Sequence, residues 1–150
     1  MSKICLPKTT KRVQQATKAS VNASIREKAV QRLKLYKEGS NGLIAERIKE
    51  LDGEWDVEKV LGSHAGILIL LTSLLGLKSR RCWFLVTGFI GFFLLYHSLK
   101  GWCPSLPFVR KCGIRTAEEI NNEKIVLKVL RGDFSENTTN VEEILKNAEN

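Results

Sequence analysis

Gly101-Trp102-Cys103-Pro104 sets a thiol beside a residue that ends helices. Proline biases its predecessor away from helical geometry, so the preceding helix should stop at or just before Cys103. A thiol at such an end, once deprotonated, is the kind of group that accepts sulfane sulfur or binds a soft metal. The simpler reading is a helix stop, in which Trp102 anchors, Pro104 breaks and cysteine is a small residue that fits. Cys112, nine positions on, is the one plausible partner. Cys82 lies about 27 Å away at the far end of the intervening segment. The candidate thiol site is therefore Cys103 with Cys112. His97 and His64 are possible neighbours, since antiparallel packing of their segments brings them to similar depth, and an ionisable group inside a membrane is a functional candidate by default. A neutral histidine bonded to a carbonyl, or to Ser63 or Ser98, is the plainer alternative. Nowhere does the chain hold a carboxylate pair within an apolar segment, a nucleophile motif, a phosphate loop or an aromatic stacking platform. Hydrolase, kinase and nucleic-acid readings thus lack support, and a protein that is not an enzyme, without cofactor or metal, is expected.

The elements that must position these residues are written in the charge pattern. From Leu61 to Leu77 run seventeen residues without a formal charge, and from Cys82 to Leu99 eighteen more. At 1.5 Å per residue these span about 25–27 Å, short for a hydrocarbon core of about 30 Å, a gap that thinning or snorkelling of Lys59 and Lys100 can close. Only Lys78-Ser79-Arg80-Arg81 separates them, so the helices turn back on each other and both termini share one side. Three cations in that loop stand against Arg47, Lys49, Lys59, Lys100, Arg110, Lys111 and Arg115 on the terminal side. The excess favours cytoplasmic termini. Trp55, Trp83 and Trp102 fall at the expected water boundaries as interface anchors.

In lipid no hydrophobic drive joins two helices, so small residues that let backbones approach should mark the seam. Gly62, Gly66, Ser73 and Gly76 on the first segment, and Thr87, Gly91, Ser98 and Gly101 on the second, read as facing stripes. Gly62 and Gly66 also form a G-x-x-x-G that suits self-association.

The formal charge of +8 resides in the first forty residues, which carry ten Lys or Arg against two Glu. Beside membrane helices such a segment holds most simply to anionic lipid. The fold class expected is all-α, a membrane protein with a two-helix transmembrane hairpin flanked by amphipathic cytoplasmic helices. Residues 1–20 read as a basic disordered tail and 21–60 as amphipathic pre-membrane helices. The hairpin occupies 61–102, with spans at 61–77 and 82–99. A post-membrane segment, 103–134, contains a helix over 117–131. Thr116-Ala117-Glu118-Glu119 is a capping box for that helix, acids lie early in it and bases late, and Gly132 stands ready to end it. Residues 135–150 form a tail with one weak helix near Val141 to Leu145.

Several of these stretches together resemble the YgaP-like bacterial transmembrane domain, a two-helix hairpin found alone or fused to rhodanese domains. They are Val21-Asn22-Ala23-Ser24-Ile25-Arg26, Glu50-Leu51-Asp52-Gly53-Glu54-Trp55-Asp56-Val57-Glu58, Gly101 to Pro107, Gly113-Ile114-Arg115-Thr116 and Leu130-Arg131-Gly132-Asp133-Phe134. The resemblance implies a bacterial inner membrane, cytoplasmic termini and, through rhodanese-fused relatives, sulfur traffic. The leading expectation is a non-enzymatic membrane anchor or interaction module whose partners are the lipid bilayer and either a soluble sulfurtransferase or a second copy, with no nucleic acid. The sharper alternative is a thiol relay through Cys103. An oligomeric pore lined by Thr72, Ser73 and Thr87 is a weaker third.

Overall fold

The computed structural model describes residues 8–37 and 39–134, and among these every regular element is an α-helix. In chain order they are α1 (Arg12–Ala16), α2 (Ala19–Lys37), α3 (Asn41–Gly53), α4 (Val57–Lys78), α5 (Trp83–Lys100), α6 (Leu106–Lys111) and α7 (Ala117–Arg131). The described residues form two compact units, one of residues 8–23 and 55–117, the other of 24–37, 39–54 and 118–134. Cys5 and the helix expected near Val141 to Leu145 lie outside the described residues.

In the first unit, α4 and α5 form the hairpin. Asp56 starts α4 by accepting the Lys59 N–H at 2.7 Å, which satisfies one of the orphan amides of the first turn. The outward faces are lined with exposed Ile67, Leu70, Leu71, Leu74, Phe84, Leu85, Phe89, Phe92 and Leu95. Only 22% and 6% of the apolar stretches of the two spanning helices are buried within the chain, whereas the core helix of a water-soluble bundle would be mostly buried. Such surfaces need lipid. The protein is an all-α membrane protein.

The hairpin seam keeps Ser73, Gly76 and Thr87 of the expected stripes and departs from them at Gly62, Gly66, Gly91 and Ser98. Buried and half-buried positions on α4 include Leu61, Ala65, Ile69, Thr72, Ser73 and Gly76. Gly62 and Gly66 lie one residue off that line, a rotation of about 100° around the helix, and a Cβ on either would meet open space. Gly91 is equally open, and the exposed Ser98 bonds back to the Leu94 carbonyl at 3.1 Å. The four-residue loop fixes the register instead. It brings Thr72 against Thr87, whose hydroxyls share a 2.8 Å hydrogen bond, and seats the Phe84 ring on Gly76, 3.0 Å from where a Cβ would sit. One glycine and one polar pair thus hold the helices where close approach is needed.

At the terminal end of the hairpin a small core gathers Val13, Val57, Val60, Leu61, Cys103, Leu106 and Val109. Here the expectation of a disordered tail over 1–20 is corrected, because α1 lies within it and buries Val13. Five residues are too short to show a period, and the helix exists through what it packs on. Gly101 ends α5 in the left-handed conformation (φ 75°), and a Cβ there would lie 2.5 Å from the Arg12 carbonyl carbon and oxygen. Only glycine lets the α1 backbone come so close. The helix α6 was also absent from the sequence reading; Pro104 opens the turn that leads into it and Pro107 sits in its first turn, where a missing N–H costs nothing. Buried Arg110 fastens this end, donating to the Ile114 carbonyl at 3.0 Å and to Asn22 Oδ1 at 2.8 Å.

The second unit has its own core of Ile44, Ile48, Leu51, Ile120 and Leu127, packed by Leu33 and Tyr36. Buried Glu123 receives Arg47 at 3.1 Å and Arg32 at 3.4 Å, so its charge is paired. Gly132 (φ 87°) closes α7, with the Asp133 N–H returning to the Lys128 carbonyl in a Schellman arrangement.

Candidate functional site

Cys103 is fixed by two local features. The αL turn at Gly101 ends α5, with the Gly101 N–H on the His97 carbonyl at 2.7 Å. Pro104 then turns the chain so that the Cys103 carbonyl accepts the Leu106 N–H at 3.1 Å. The side chain consequently points into the terminal core, where it is only 6% exposed, and its Sγ lies 3.3 Å from Ser105 Oγ.

His97, one turn before the end of α5, is 2% exposed. Its Nε2 meets Glu58 Oε2 at 3.2 Å, and Glu58 Oε1 accepts Arg12 Nη2 at 2.9 Å. His97 Nδ1 is buried and holds no aligned hydrogen bond. The Cys103 thiol is its neighbour: burial pushes that thiol up, but the closeness of His97, the Ser105 hydroxyl and the Leu106 N–H outweigh burial and hold it below the ordinary thiol value. The order Arg12, Glu58, His97, Cys103 is thus a nucleophile beside a base whose ring is oriented by a carboxylate, itself held by a guanidinium. Its parts come from α1, the first turn of α4, the last turn of α5 and the turn after it.

A groove of about 500 Å³ opens beside this set, and His64, His97, Cys103 and Cys112 all line it. The four candidates therefore meet in one place, in unequal roles. His64 bonds through Nδ1 to the Val60 carbonyl at 2.8 Å, the plain carbonyl-bonded alternative. Cys112 is exposed and, like Cys103, a free thiol; Cys82 is free and exposed in the loop at the other end. Among the described residues no group of three or more His, Cys, Asp or Glu is arranged to hold a metal ion. The arrangement offers thiol chemistry.

Glu58, Arg12 and Ser105 were missed in the sequence. Glu58 was legible only as the last residue of the Glu50 to Glu58 stretch. The antiparallel depth argument that paired His64 with His97 would have reached it if extended by a turn and a half, because the side chain opposite His97 comes from Glu58. Of the tryptophans, Trp55 is exposed beneath Lys59 Nζ, Trp102 stands edge-on to Tyr96, and half-buried Trp83 starts α5.

Residues 56–119 match the family model described as inner membrane protein YgaP-like, transmembrane domain. Over that stretch, which is less than half of the chain, the sequence is similar to that domain. The hairpin, the Gly101 to Pro107 motif and the Cys103 site fall inside the match, whereas the motifs at Val21 and Leu130 fall outside it. Neither the curated proteins nor the solved structures gave a match.

Proposed function

We propose that this YgaP-like hairpin is a thiol relay of the inner membrane, in which Cys103 accepts a sulfane sulfur atom from a persulfide and hands it on. The observation that carries this reading is the run of contacts from Arg12 through Glu58 to His97 beside a buried thiol. An anchor at this place needs a tryptophan and a helix stop. It does not need a guanidinium and a carboxylate to orient an imidazole. In the transfer, His97 takes the Cys103 proton and the thiolate attacks the outer sulfur of R–S–SH. The S–S bond breaks, R–S⁻ leaves with the electron pair and receives the proton from His97, and Cys103–S–SH remains. No outside oxidant or reductant is needed. The protein acts as a carrier, loaded and unloaded once per encounter, rather than as an enzyme.

The chain passes the membrane twice in this reading, with both termini cytoplasmic, supported by the excess of cations on the terminal side. Sulfur as the cargo is supported by the rhodanese-fused relatives of the family, which is association. A soluble sulfurtransferase is the natural donor or acceptor. The pore alternative fares worse, since the Thr72 and Thr87 hydroxyls that would line it are spent on each other.

The test uses the full chain in lipid nanodiscs with Cys5, Cys82 and Cys112 changed to serine. Exposure to a small uncharged persulfide, followed by alkylation and mass measurement, should load one sulfur atom on Cys103 faster than on a free alkyl thiol. His97→Ala and Glu58→Gln should slow the loading by about 10²-fold, the lower range for a positioned base. Loading at the free-thiol rate, or variants without effect, returns the protein to the anchor reading.

A further inference from the structure

Cys103 is nearly closed to water, so whatever reaches its sulfur must come along the groove. The walls of that groove decide what can. From the end formed by His97 and Cys103 it runs beside α4 and α5 past Ala65 and Leu68 to Phe89 and Phe93. No Lys, Arg, Asp or Glu stands among the lining residues. An anionic donor, such as a hydrophilic persulfide carried on a carboxylated thiol, would lose its hydration there with no counter-charge in return. Arg12, the nearest cation of the set, is engaged by Glu58. Leu68 and Phe89 are also exposed on the outward apolar face of the hairpin, so the far end of the groove opens to the hydrocarbon. Most pockets that recognise a small molecule have this make-up, an apolar body with a few polar groups at one end.

Resting on the relay reading, we infer that the sulfur donor is a neutral, lipid-soluble persulfide, R–S–SH with an apolar R group, which reaches Cys103 from the bilayer by laying R along the groove between α4 and α5. The sulfane sulfur then lies at the polar end, against the thiol and His97. The exchange is the one given above: the new bond joins Cys103 Sγ to the outer sulfur, the old S–S bond breaks, and R–S⁻, protonated by His97, returns to the bilayer as a neutral thiol. A donor that is apolar before and after the reaction never has to cross the headgroups.

Alkyl methanethiosulfonates test this, because they attack the same thiol with a tail that can be chosen. In nanodiscs, the single-cysteine protein is treated with the methyl, decyl and charged sulfonatoethyl reagents. Ser98→Cys in the cysteine-free chain is the reference for simple partition, since Ser98 is exposed at the same end of α5 and off the groove. The decyl reagent should outpace the charged one at Cys103 by at least about tenfold more than it does at the reference, a margin that burial of two methylenes suffices to give. Leu68→Trp, a change at a side chain 49% exposed, should remove that margin by slowing the decyl reagent at least about tenfold more than the methyl one. The same margin at Ser98→Cys, or a Leu68→Trp effect equal for the methyl and decyl reagents, overturns the proposal while the relay stands. A methyl rate no better than that of a free thiol brings down the relay itself.

Discussion

Alanine at Gly101 separates two costs that usually come together. Gly113 has the same backbone sign (φ 85°), and a Cβ there meets open space, so Gly113→Ala carries the left-handed penalty alone, about 1 kcal/mol. At Gly101 the same penalty is joined by a Cβ 2.5 Å from the Arg12 carbonyl, where ordinary contact begins at 3.4 Å. The obstacle is backbone, which cannot rotate aside, so α1 must retreat. Five residues have no helical stability of their own, and retreat exposes Val13, whose burial is worth about 1.5 kcal/mol. Gly101→Ala should therefore cost about 2–3 kcal/mol locally and raise the undocked population roughly tenfold over Gly113→Ala. Trypsin cleavage after Arg12 in nanodiscs reads that population, because proteolysis tracks the open fraction when closing is fast. Gly101→Asn keeps the Cβ while easing the dihedral, and should behave like alanine. Equal cleavage of Gly101→Ala and Gly113→Ala, or recovery with asparagine, would refute the close-approach argument.

The remaining expectations address charge, packing and orientation. Because the Cys103 thiol sits below its ordinary value, its alkylation rate should persist as pH falls past the point where a free thiol has gone silent; His97→Ala should move the midpoint upward, read from iodoacetamide rates across pH. Thr72→Val keeps the shape and removes the shared hydroxyl bond, which should cost about 0.6 kcal/mol in SDS unfolding of the hairpin. Glu123→Gln leaves Arg47 and Arg32 without their buried carboxylate and should cost about 3 kcal/mol, the lower end for a broken buried pair because Arg32 is partly exposed; faster hydrogen exchange in α3 and α7 would show it. An impermeant maleimide applied to intact cells should label Cys82 and spare Cys112, with the reverse pattern if the termini face outward.

Long uncharged runs and strong stop signals made α4, α5 and α7 readable in advance, since each is decided by its own residues. The capping box and Gly132 bracket α7 within a residue of where it lies. Other features depend on residues far apart in sequence. The tail expected over 1–20 became α1 because Gly101 and Glu58 receive it, and neither fact is local to residues 12–16. The seam was misread for a related reason. Gly62 and Gly66 are small and well spaced, but the tight turn after Lys78 sets which face of α4 meets α5, and that choice falls one residue away. At the site, the titratable groups inside the uncharged runs drew notice by position, while Glu58 lies just outside those runs.

The contact between α1 and Gly101 also orders events during synthesis. Arg12 leaves the ribosome long before Glu58, 46 residues on, and longer still before Gly101. α1 is thus made well before its partners, and it finds its seat only after α5 has been threaded and capped. Until then Glu58 lacks its guanidinium partner and His97 the support behind it. In a hairpin that has not inserted, the run of contacts from Arg12 through Glu58 to His97 is therefore not assembled.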